Sequence, residues 1–113
     1  MKILTIWCVG LCVFLCSCER ISTAMMLMQA NTSYNQGKYD KAIELYQKLI
    51  EINPANPEYH YQMGLSYFSS GDKTKVQQKA NRLRKLGRDD LAQSLEQLLT
   101  QLSAQTAEQS KNK

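Results

Sequence analysis

The side chains in this sequence that could carry covalent or metal chemistry are few and scattered. Its four cysteines are Cys8, Cys12, Cys16 and Cys18. Confined to the first sixth of the chain, they build no disulfide framework. Cys8, Cys12 and Cys16 fall at i, i+4 and i+8, one stripe of a helix, but no His or carboxylate joins them to complete a ligand set. The one histidine, His60, stands between Tyr59 and Tyr61 at the start of a helix with no nucleophile beside it. It reads as a surface contact or a contact between structural units rather than a general base. Asp89 and Asp90 are adjacent carboxylates at a helix start and read as caps. The chain is therefore read as non-enzymatic, with no metal and no cofactor.

A second kind of chemistry is electrostatic. Lys73, Lys75, Lys79, Arg82, Arg84, Lys85 and Arg88 lie within sixteen residues, opposed locally by Asp72, Asp89 and Asp90. At about 100° per residue, Lys75, Lys79 and Arg82 fall on one side of the apolar stripe Val76, Ala80, Leu83. Lys73 and Arg84 fall on the other. The charge is spread over the solvated faces, and Arg84, Lys85 and Arg88 also suit a helix C-terminus. Lys75, Lys79 and Arg82 form the candidate surface for an anionic glycan or lipid headgroup. The segment lacks the interleaved aromatics of a nucleic-acid-binding surface, and nucleic acid is excluded as a partner.

The N-terminus opens with a lone basic residue, Lys2, runs apolar from Ile3 to Leu15 and turns polar at Ser17, Glu19 and Arg20. These are the n-region, h-region and cleavage zone of a secretory signal. Thirteen residues span about 20 Å as a helix, short of a hydrocarbon core about 30 Å thick, which places a retained signal anchor second. Leu15-Cys16-Ser17-Cys18 resembles the lipobox of bacterial lipoproteins, with Cys16 where that family usually has Ala or Ser. The resemblance implies cleavage after residue 17 and lipidation of Cys18. Glu19, in place of the Asp that tends to hold such proteins at the inner membrane, favours the periplasmic face of the outer membrane. The segments are then 1–17 as signal and 18–23 as lipidated cysteine and tether. Loss of Lys2 takes the formal charge from +4 to +3.

The remaining residues repeat at an offset of 34. Gly37 falls on Gly71, Lys41 on Lys75, Leu49 on Leu83, Ala30 on Gly64 and Tyr34 on Phe68. Small residues match small ones and large match large. Each unit reads helix, turn, helix. Ser22 or Thr23 caps a helix over about 24–36 that stops at Gly37, and Tyr39 or Asp40 starts a second that runs to about Asn53. Asn56 then supplies an N-cap and Pro57 an N1 proline for a third, ending before Gly71. The second helix carries Tyr39, Ala42, Ile43, Tyr46, Leu49 and Ile50 at helical period.

The segment from Gly37 to Pro54 resembles the second half of a tetratricopeptide repeat. The resemblance rests on Gly37 and Tyr39 at the turn, Ala42 at the helix crossing, Tyr46 one turn on, and Pro54 closing the unit. A degenerate second copy keeps Met63, Gly64, Tyr67 and Gly71 but has Lys73, Val76 and Arg88 where the first has Tyr39, Ala42 and Pro54. The fold expected is all-α: two helix-turn-helix units, 24–56 and 57–88, and a capping helix over 89–103, stacked as a short right-handed solenoid. Residues 104–113, with two alanines as their only apolar members, read as a disordered tail.

The same resemblance implies a binding role, with ligand contacts on the first helix of each unit. The matching residues are Leu27, Asn31, Tyr34 and Asn35 in the first, and Tyr61, Leu65, Phe68 and Ser69 in the second. Asn31 alone fits the carboxylate clamp found in one branch of the family, so a C-terminal carboxylate is not the expected ligand. The expected occupant is a short helix or extended segment of a protein, or a second copy of the chain joining two grooves. The function read from the sequence is a membrane-anchored scaffold or assembly factor in the bacterial cell envelope. Its rival is a lipoprotein that grips anionic glycan or lipid through residues 73–88.

Overall fold

The computed structural model describes residues 20–112, and Cys8, Cys12, Cys16, Cys18 and the expected signal segment lie outside them. The described chain is helical throughout, in five consecutive helices. They are α1 (20–35), α2 (Tyr39–Ile52), α3 (Pro57–Ser70), α4 (Lys73–Lys85) and α5 (Asp89–Lys111). Successive helices pack on one another from α2 to α5, and α3 also meets α5 directly.

The turns follow from local chemistry. Gly71 adopts φ +90°, where a Cβ would be strained; its N–H donates to Phe68 O while the N–H of Asp72 donates to Tyr67 O, closing α3. Gly37, at φ +76°, ends α1 in the same way, with the N–H of Lys38 on Ser33 O. At the head of α3, Asn56 Oδ1 accepts from the N–H of Glu58 at 3.0 Å, and Pro57 occupies the first helical position, where a missing N–H costs nothing. Asp72 Oδ1 caps α4 by accepting from the N–H of Lys75 at 3.2 Å.

Two apolar clusters hold the helices. The first gathers Ala30, Ala42, Tyr46, Leu49, Ile50, Tyr59 and Met63 from α1, α2 and α3. The second gathers Val76, Ala80, Leu83, Ala92 and Leu95 from α4 and α5. Tyr67 on α3 packs against both and joins them. Ala30, Ala42 and Ala80 are fully buried where helices cross, and each fully buried leucine, Leu49, Leu83 and Leu95, contributes about 1.5–3 kcal/mol.

Three boundaries differ from the sequence expectation. Residues 20–23, expected as part of a tether, are already helical, so Ser22 and Thr23 lie inside α1. Asp89 and Asp90 sit in the first turn of α5 rather than at its N-cap, which is Arg88 and makes no side-chain cap bond, and Asp90 accepts from Arg88. Helix α5 continues to Lys111 where the composition predicts disorder. Its last turns are exposed but rich in good helix formers, and the hydroxyls of Ser103 and Thr106 donate back to the carbonyls of Thr100 and Leu102.

Candidate binding face

The first helices of the two units, α1 and α3, carry the candidate contacts. Leu27 and Tyr34 are half-buried against the first cluster, while Asn31 and Asn35 are exposed. Tyr61, Leu65 and Phe68 are half-buried against the second cluster, beside Leu91 and Leu99 of α5. The α3 members thus serve packing with one side and leave the other open. Tyr34 links the two helices: its hydroxyl meets Ser69 Oγ at 3.4 Å, and its ring stands edge-on to Tyr39, centroids 5.5 Å apart at 62°.

Asn31 has a role that spacing alone did not reveal. Its Oδ1 accepts from the phenol of Tyr46, across from α1 to α2, which leaves its NH2 pair as the part that can meet a ligand. Tyr46 is fully buried, and that burial, with smaller contributions from Tyr34 and Glu58, pushes its phenol up to about 12. It therefore stays a donor at every physiological pH, and Asn31 is held by a neutral hydrogen bond.

His60 is buried, with Nε2 2.8 Å from Pro54 O, the residue that closes the first unit. This is a contact between units, and with that bond donated by Nε2–H, Nδ1 is left buried without a partner. Burial lowers its pKa, and the nearby cations Lys79 and Arg82 lower it further, against the opposing pull of the Pro54 carbonyl.

The basic residues of α4 divide as their angles dictate. Lys75 lies over the Tyr67 ring at 5.1 Å and 3.8 Å from Asp72, and the Lys79 Cβ lies beside Gly64, so Lys75 and Lys79 face α3. Lys79 is half-buried, and burial together with Arg82 lowers its pKa. On the opposite side Arg84 grips Glu96 of α5 with both Nη atoms, the second at 2.6 Å. Gln77 adds a third donor to Glu96 at 3.1 Å, and these bonds, Arg84 first, hold the Glu96 carboxyl below its usual range. Arg88 pairs with Asp90 at 2.8 Å, bringing that carboxyl down to about 2. Three of the seven cations, Lys75, Arg84 and Arg88, are thus engaged within the domain.

One feature of α1 was missed from the sequence. Ile21, Met25, Met28 and, on α2, Ile52 are 62%, 55%, 63% and 58% exposed. The signal was present in the unbroken apolar run Met25-Met26-Leu27-Met28, too wide for one buried stripe.

The family model for the TPR repeat matches residues 30–71, from the middle of α1 to the turn after α3. Two proteins of Drosophila melanogaster, Hsc70-interacting protein 1 and Hsc70-interacting protein 2, are each 44% identical to this chain over 39 residues. That stretch is 34% of this chain and 10% of either relative. The chain thus spans about a tenth of the length of these curated relatives.

Proposed function

We propose that this chain is a lipid-anchored scaffold of the bacterial cell envelope that holds a short helix or extended segment of a protein partner across α1 and α3. The observation that carries the binding reading is the row Leu27, Tyr34, Tyr61, Leu65 and Phe68, half-covered by the core and flanked by exposed Asn31, Asn35 and Ser69. Aromatic anchors beside adaptable amides and hydroxyls are the composition of a protein-binding face. The TPR match over the same helices supports it, as do two relatives whose names state an interaction with another protein. The lipid anchor rests on Leu15-Cys16-Ser17-Cys18 and the apolar run before it.

The rival surface, Lys75, Lys79 and Arg82, is weakened by the pairing of Lys75 with Asp72 and Tyr67. The two readings separate by mutation and pull-down from crosslinked membranes. Asn35→Arg with Ser69→Arg places bulk and charge on the face without touching the core, and should abolish partner capture. Lys75→Gln with Arg82→Gln should leave capture unchanged. The reverse pattern, with binding that fades steeply as salt rises, would establish the anionic-surface reading instead.

A further inference from the structure

The exposed large apolar side chains among the described residues all lie along one edge of the first helical pair. Ile21, Met25 and Met28 follow at i, i+4 and i+7 on α1, and Ile52 is at the end of α2. Helices α1 and α2 run antiparallel, and Leu45 and Lys48 of α2 line a shallow hollow of about 490 Å³ together with Ile21, Met25 and Met26. Ile52, one turn beyond Lys48, belongs to the same end. We infer that this edge seats on a lipid bilayer, with Ile21, Met25, Met28 and Ile52 dipping into the boundary between headgroups and acyl chains.

The position of the edge selects its occupant. Cys18 precedes Ile21 by three residues, so the expected lipids attach within about 11 Å of it even along a fully extended chain. In this respect the inference rests on the lipid-anchor reading above. Arg20 directly precedes the apolar row, and its long stem lets the charge reach the headgroup level while the methylenes stay with the apolar side chains. Lys48 lines the hollow but is paired with Glu44 at 3.0 Å, so it adds little charge there. Methionine is flexible and unbranched, suited to a surface that has no fixed shape. A second copy of the chain is a poorer occupant, because four side chains, each about two-fifths covered already, fall far below the roughly 20–30 residues a side of a specific protein interface. An amphipathic helix face lying in the interface has no such minimum.

The test places a single fluorophore on the edge. In a full-length Trp7→Phe background, Met25→Trp, Met28→Trp and, as a reference on the exposed side of α5, Gln93→Trp are each reconstituted in vesicles of phosphatidylcholine and phosphatidylglycerol, with and without bromine on the acyl chains. All three substitutions replace side chains that are largely exposed, so the fold is kept. Quenching by bromine should be at least about threefold greater at positions 25 and 28 than at 93, as an edge sunk 5–10 Å into the boundary requires. Equal quenching at all three positions overturns the inference. So does a tryptophan at 25 that is shielded from aqueous quencher yet untouched by bromine, which would mean that a second copy covers the edge. Mass spectrometry of the N-terminal peptide is read separately. Acylated Cys18 without quenching keeps the anchor and removes the seating, whereas quenching with unmodified Cys18 does the opposite.

Discussion

At Gly64 helix α5 comes so close to α3 that a Cβ would stand 2.7 Å from Leu95 Cδ1, 3.2 Å from its Cδ2 and 3.4 Å from Lys79 Cβ. Ordinary carbon contacts lie at about 3.5–4.0 Å, so a methyl group there must push Leu95 aside by about 1 Å, and Leu95 is fully buried. Gly64→Ala should therefore cost about 1–3 kcal/mol in overpacking, partly offset by about 0.5–1 kcal/mol gained from alanine in a helix interior. Leu95→Ala alone should cost about 2–5 kcal/mol through the cavity it leaves. In the double variant the new methyl enters the space the leucine vacates, the clash disappears, and the two effects should be less than additive by about 1–2 kcal/mol. Urea unfolding followed by circular dichroism gives the three values, and thermal melts check them at about 4–8 °C per kcal/mol for a domain of this size. Additivity within about 0.5 kcal/mol would refute the argument, since it would mean that the methyl at 64 and the side chain at 95 do not meet.

Three further outcomes are expected. His60 has its folded pKa lowered by burial and by Lys79 and Arg82, so the unfolded chain binds its proton first as pH falls. Its contribution to stability is complete above about 6.5 and is lost as pH falls from there through the lowered folded value; urea midpoints should decline over that window, and His60→Gln should flatten the decline. Tyr46→Phe removes the donor to Asn31 Oδ1 and should lower stability by about 0.5–1.5 kcal/mol, with the loss absent when Asn31→Ala is already in place. Deleting residues 104–113 should reduce helical ellipticity while changing stability by no more than about 0.5 kcal/mol, because the side chains from 103 to 112 are all exposed.

Much of the architecture was written in short-range chemistry. The pairing of Gly37 with Gly71, Asn56 before Pro57, and the row Ala42, Tyr46, Leu49 each act within a turn or one helix face, and each appears in the structure where its spacing places it. Signals that depend on what lies across a helix pair were not legible. Asn31 looks like a free ligand contact in sequence, and only the neighbouring α2 reveals that Tyr46 already occupies its oxygen. Tyr61, Leu65 and Phe68 look equivalent to Leu27 and Tyr34, but α5 folds beside them and draws them toward the second cluster. Ser22 and Thr23 are sound cap residues that fall inside α1 because the chain is already helical at residue 20. Asp89 and Asp90 miss the cap position by one and two residues, since α5 begins at Asp89 and Arg88 stands in the N-cap place, from which it also grips the Asp90 carboxylate at two points.

Helix α1 carries three sets of side chains at different angles, and those angles decide whether the proposed seating and the proposed binding are compatible. With Ile21 at zero and about 100° per residue, Met25 and Met28 fall within about 40° of it. Met26, Ala30 and the buried Ser33 lie near 150°, and Leu27, Asn31 and Tyr34, of which Leu27 and Tyr34 also rest with one side on the first cluster, lie near 250°. Seating the first face on lipid thus leaves the third about 110° away, opening along the membrane rather than into it or straight out from it. The order along the helix adds to this: Tyr34 is thirteen residues beyond Ile21, about 20 Å of rise. A partner reaching Tyr34, Asn35 and Ser69 must then present a segment just outside the headgroup layer and approach from the side. If the proposed anchor and seating both hold, that geometry suits a partner whose segment lies close to the same leaflet, with the helix from residue 20 onward setting the effective concentration of the binding face.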